Sequence, residues 1–226
     1  MIPLYEVDRR GGAPILTRAI VLANVLVWLY VLTLLDRPGA LQAFYDRWSF
    51  DPAELRATLA AGEVSVAALL PLLTHQFLHA GWLHVIGNLL YLWIFGGTVE
   101  DRLGSPRFLL FYLAAGAAAA LGQAIVAPAP MVGASGAIAG VLGAYLVISP
   151  GARIRTLLFL GIWATAISLP AIIVIGEWLV IQLLAGLELM RIAPHRATEN
   201  VAYIAHLSGF IAGVVLVRLL GARARR

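Results

Sequence analysis

Residues 133–150 read Gly133-Ala134-Ser135-Gly136-Ala137-Ile138-Ala139-Gly140-Val141-Leu142-Gly143-Ala144-Tyr145-Leu146-Val147-Ile148-Ser149-Pro150. From Ala134 to Ile148 the run is apolar apart from one serine at its start. Pro128 and Pro130 before it and Pro150-Gly151 after it fix its ends, since proline is tolerated only at the margins of a helix. At 1.5 Å per residue such a helix is about 22 Å long, against a hydrocarbon core of about 30 Å. If its far end reaches one membrane surface, Ser135 lies about 8 Å below the other. A polar group in that position is expensive unless it faces a cavity, so Ser135 is a candidate functional residue.

The rest of the chain sets this run in a membrane. Of 226 residues, 61% are hydrophobic and 12% charged, about half the charge of a soluble domain. Mean hydropathy is +0.89. Cysteine is absent, which excludes disulfides, thiolate nucleophiles and cysteine-ligated metals. The net charge of +4 comes from arginine, as there is no lysine. In such a chain that excess reports orientation before it reports nucleic acid, and no nucleic-acid partner is expected.

Six apolar runs read as spans of a single domain over residues 1–226: about 17–35, 81–99, 108–126, 134–148, 169–187 and 201–220. Arg9, Arg10 and Arg18 precede the first, as in a signal peptide. However, Asp36-Arg37-Pro38-Gly39 follows it without a small-residue cleavage site, so the run reads as a retained span. Residues 39–73 mix Asp46, Arg47, Trp48, Asp51, Glu54 and Arg56 with apolar residues, which suits a long loop with short interfacial helices. Residues 156–168 either extend the fifth span or lie in the interface, with Pro170 opening the span; the second is the favoured reading. Six spans with both termini cytoplasmic put 11 of the 16 arginines inside, leaving Arg37, Arg47, Arg56, Arg191 and Arg196 outside. The positive-inside rule favours that orientation. The expected fold is an all-α polytopic bundle with an interfacial first loop.

Spans two, four and six then start from the same side. His84 and Asn88 lie about 5 to 10 Å deep on span two, and His206 about 7 to 8 Å deep on span six, the level reached by Ser135. Gly136 and Gly140 are four apart at the start of span four, with Gly143 following, and Ala205, Gly209 and Gly213 are each four apart on span six. Small residues four apart let helix backbones approach closely in lipid, as a serine–histidine pair on two helices requires.

Taken together, the motifs resemble those of the rhomboid family of intramembrane serine proteases over about residues 70 to 215. The resemblance rests on Gly133–Gly136 (GxSG), Ala205–Gly213 (AHxxGxxxG), His79–Asn88 (HxxxxHxxxN) and Glu100-Asp101-Arg102 (ExR). It implies a six-helix bundle around a water-filled cavity, with Ser135 as nucleophile and His206 as general base. The oxyanion would be met by the Ser135 N–H and the side chains of Asn88 and His84. Glu100 and Arg102 read as a structural anchor, and His79, Gly133, Gly136, Gly209 and Gly213 as motif positions that shape the site. The implied partners are transmembrane protein substrates within the lipid bilayer, with no cofactor and no metal; a short N-terminus, no transit peptide and arginine-only basicity fit a bacterial inner membrane.

Two positions depart from the family pattern. Ala139 stands where an aromatic residue often stacks on the catalytic histidine, so the orientation of His206 must come from elsewhere. Glu177 is an acid within the fifth span that no motif explains; left unpaired it would be protonated, and otherwise it would face a partner or a cavity. Other classes stay open at this level. The polar residues could be interhelical glue in a non-catalytic scaffold that binds transmembrane clients. His75, His79, His84 and His206 could supply imidazoles to a metal, although no HExxH is present. Transport is a further class, although no inverted repeat of the motifs is visible.

Overall fold

The computed structural model describes the chain apart from positions 8, 10, 63–64, 127–129, 162, 193–200 and 223–226. Six long helices dominate it: α1 (Ile15–Leu34), α6 (Trp82–Leu103), α7 (Ser105–Val126), α8 (Ser135–Ile148), α9 (Ala171–Ile192) and α10 (Val201–Leu219). Between α1 and α6 run four shorter helices, α2 (Pro38–Trp48), α3 (Pro52–Ala60), α4 (Val66–Leu69) and α5 (Pro71–Thr74), and a 3-10 turn over His75–Phe77. Proline opens α2, α3 and α5, where its missing N–H costs nothing. Asp51 also caps α3 by accepting from the Ala53 N–H at 2.7 Å.

Among the described residues, three helical stretches are long and apolar enough to cross a membrane: Ile15–Leu34, Trp82–Leu103 and Ser105–Ile125. Ser135–Ile148, Ala171–Ala185 and Tyr203–Leu219 are shorter apolar helices. Large apolar side chains face outward on the peripheral helices, including Leu22, Leu26 and Leu29 of α1 and Ile172, Val180 and Leu184 of α9. That surface suits lipid and would be untenable in water.

α8 is the centre of the bundle. Every residue from Gly136 to Tyr145 is buried, and α6, α7 and α10 pack around it. The approach of α8 and α10 depends on glycine. A Cβ on Gly209 would run into the Gly136 carbonyl, and one on Gly213 into the carbonyl of Gly140. Two backbones at that separation are possible only where both carry small residues.

The expectation of an all-α fold needs correction. β1 (Ile2–Glu6), β2 (Arg153–Leu160) and β3 (Trp163–Pro170) form an antiparallel sheet in the order β1-β2-β3. The stretch 156–168 therefore does not extend the fifth span; it belongs to a hairpin that turns at Gly161, with φ of 66°. Ile154 and Thr156 point inward and are fully buried. A short apolar run has no periodicity to separate strand from helix, and pairing with the distant β1 resolves it here. The sheet is tied to the bundle by Thr98 Oγ1, which donates to Glu6 Oε2 at 2.6 Å, and it lies at the end of α8 away from Ser135.

Candidate active site

Ser135 opens α8, where the N–H groups of the first turn have no partner within the helix. The segment leading to it is held in place by three backbone contacts. Phe50 and Met131 exchange hydrogen bonds in both directions, at 3.1 and 2.8 Å, and the Gly133 N–H donates to the His75 carbonyl at 2.9 Å. Gly133 has φ of 126°, a conformation L side chains rarely adopt. A Cβ there would also lie 2.7 Å from His84 Nε2 and 3.6 Å from Ser135 Oγ. The GxSG glycine thus makes room for both the serine and a histidine from another helix.

α6 brings His84 and Asn88 to the same place from one face, four residues apart. A cavity of about 530 Å³ is lined by His84, Asn88, Ser135 and His206, together with Tyr91, Trp178 and apolar residues. The four residues the motifs singled out for chemistry therefore meet in one concave, mixed polar and apolar site. The serine–histidine bond is not closed: among the described residues, the hydrogen bond of the His206 ring runs from Nδ1 to Gln182 Oε1 at 2.7 Å. Such bonds are often long before substrate binds.

His79 stands behind the cavity wall. Its Nε2 lies 3.0 Å from Asn88 Nδ2, its ring meets that of His84 edge-on at 5.0 Å, and its carbonyl accepts from Tyr45 OH at 2.6 Å. Burial, and then the neighbouring His84, push the His79 imidazole down to about 3, so it is neutral in its supporting position. His75 is also buried and bonds the Pro71 carbonyl through Nδ1 at 2.8 Å. Neither histidine lines the cavity.

Glu100 is 2% exposed and far from the cavity. Its carboxylate accepts from the N–H groups of Leu16 and Thr17 at 2.9 and 2.7 Å, from Thr17 Oγ1 at 2.8 Å and from Ser105 Oγ at 2.7 Å. It thereby caps α1, whose own N-cap is Pro14 with no side chain to offer, and pins α1 to the α6–α7 junction. Next to it, Asp101 pairs with Arg9 at 2.9 Å. Glu177 is not unpaired either: Oε1 accepts from the Met1 amine at 3.0 Å.

Two residues at the site, Trp178 and Gln182, belong to no motif in the sequence. Ala139 is fully buried within α8 and offers no ring to His206. The aromatic neighbour comes instead from α9, where Trp178 lies 5.9 Å from the His206 ring at an interplanar angle of 44°. Gln182 is the second. The two are four apart on one helix face, and a glutamine in an apolar run was the available signal.

A helical membrane protein with a serine and a histidine in one internal cavity belongs to a narrow class, and sequence comparison identifies it. The rhomboid domain model matches residues 67–223, and the chain belongs to the rhomboid family. It is 37% identical over 150 residues to the rhomboid protease GluP of Bacillus subtilis, covering 66% of this chain and 26% of that protein. It is 34% identical over 155 residues to the chloroplastic rhomboid-like protein 11 of Arabidopsis thaliana, covering 65% and 51%. With the rhomboid protease GlpG of Haemophilus influenzae it shares 32% identity over 143 residues, covering 63% and 65%. The chain thus spans between about a quarter and two thirds of the length of these relatives.

Proposed function

We propose that this protein is an intramembrane serine endopeptidase that cleaves transmembrane segments of membrane proteins with a Ser135–His206 dyad. The observation that carries the reading is the shared cavity of Ser135, His206, His84 and Asn88. His206 Nε2 takes the proton from Ser135 Oγ as the hydroxyl adds to the scissile carbonyl, and returns it to the leaving amine. The oxyanion that forms meets the Ser135 N–H at the positive end of α8 and the side chains of Asn88 and His84. Water then repeats the sequence on the acyl-enzyme. The six long helices act as six spans of a single domain, with both termini cytoplasmic in a bacterial inner membrane. The cavity opens to the opposite side, and transmembrane proteins are the substrates. The excess of arginine at the cytoplasmic ends supports that orientation.

The test is a fluorophosphonate probe on the detergent-solubilised protein, together with cleavage of a model transmembrane substrate. Wild type is expected to label at Ser135 and to cleave. Ser135→Ala and His206→Ala should each lose cleavage with the fold intact, and the double variant should be hardly worse than either single one, because nucleophile and base act as a unit. Full activity in Ser135→Ala overturns the serine mechanism. A well-folded wild type that neither labels nor cleaves favours a client-binding scaffold.

A further inference from the structure

A general-base histidine needs one ring nitrogen bare and in place, and the other nitrogen's hydrogen bond decides which one that is. In triads a carboxylate does this. No carboxylate lies among the described residues that line the cavity, and the usual aromatic position on α8 is Ala139. α9 fills the vacancy: Gln182 Oε1 is 2.7 Å from His206 Nδ1, and Trp178 flanks the same ring at 5.9 Å.

We infer that Gln182 is a positioning residue for His206, its side-chain carbonyl holding the imidazole as the Nδ1–H tautomer so that Nε2 is the bare nitrogen. An amide oxygen only accepts, so the partnered ring nitrogen must carry the proton. The bond also fixes the ring's rotation, while Trp178 limits its tilt. When Nε2 accepts the serine proton, the ring becomes positive, and the Gln182 carbonyl dipole already points at the nitrogen that shares that charge.

This role rests on the dyad reading, and the experiment separates the two. Gln182→Met keeps length and volume but removes the acceptor; Gln182→Glu keeps an acceptor oxygen at the same reach. The Met variant is expected to lose roughly 10- to 100-fold in kcat with KM little changed, and the Glu variant to recover most of it, with both melting close to wild type. In parallel, ¹⁵N shifts of the His206 ring should report Nδ1–H in wild type and a mixture of tautomers in Gln182→Met. Unchanged kcat and unchanged tautomer in Gln182→Met overturn the role of Gln182 while leaving the dyad intact. Equal losses in both variants, with lowered melting temperatures, also overturn it and assign Gln182 to packing. An inactive wild type refutes the dyad, and the ring shifts still decide whether Gln182 sets the tautomer.

Discussion

Asn88 Nδ2 lies 3.0 Å from His79 Nε2, so one of the two amide hydrogens of Asn88 is committed to the wall behind it. The other is left to point into the cavity that Asn88 lines. Asn88→Ala is expected to lower turnover roughly 10- to 1000-fold with smaller effects on substrate binding. His79→Ala should reproduce part of that loss although His79 lines no part of the cavity, because the amide is released from its anchor. Steady-state kinetics on both variants and the double variant measure the coupling. If the two losses simply add, His79 does not act through Asn88.

Gly133→Ala should be costly out of proportion to one methyl group. The φ of 126° alone costs about 1 to 3 kcal/mol for a residue with a side chain. The new Cβ would also push on His84 Nε2, 2.7 Å away. A melting temperature lowered by several degrees and a turnover lowered roughly tenfold or more are expected. A variant that melts lower yet turns over normally would show that the His84 ring can shift without harm.

Glu100 supplies its four hydrogen bonds from a buried position. Glu100→Ala strands the first N–H groups of α1 and the Thr17 hydroxyl, at about 1 to 3 kcal/mol for each buried orphan. Gln keeps one acceptor and should recover part of the loss. Thermal unfolding in detergent measures both, and activity per folded molecule should stay near wild type. A selective loss of turnover without loss of stability would give Glu100 a role beyond anchoring.

His75 and His79 make stability depend on pH. Burial lowers the His75 imidazole from 6.5 to about 4, and His79 falls to about 3. Between those values and 6.5 the unfolded chain holds protons that the folded chain does not, so stability rises with pH. The contribution is complete above about pH 6.5 and is lost as pH falls towards 4 for His75 and 3 for His79. For His75 alone it amounts to on the order of 3 kcal/mol. Melting temperature should fall steadily from pH 7 to 4.5, and His75→Gln should flatten part of that slope. A flat profile in wild type would show that these imidazoles are already charged, or hydrated, in the folded state.

The membrane setting, the short fourth helix with its serine, and the grouping of Ser135, His206, His84 and Asn88 around one cavity were legible in the residues alone. Those features follow from the apolarity of single segments and from rise per residue. The glycine ladders of α8 and α10 were legible for the same reason, since small residues four apart mark one face of one helix. How the candidate site is held depends instead on packing between distant segments. The Gln182–His206 bond joins residues 24 apart on two helices, the Glu100 cap reaches Thr17 across 83 residues, and β1 pairs with β2 across most of the chain. Each of these bonds depends on how two helices are rotated about their own axes, or on which strand finds which. Neither is set by local propensity; both are settled only when the whole bundle packs around α8.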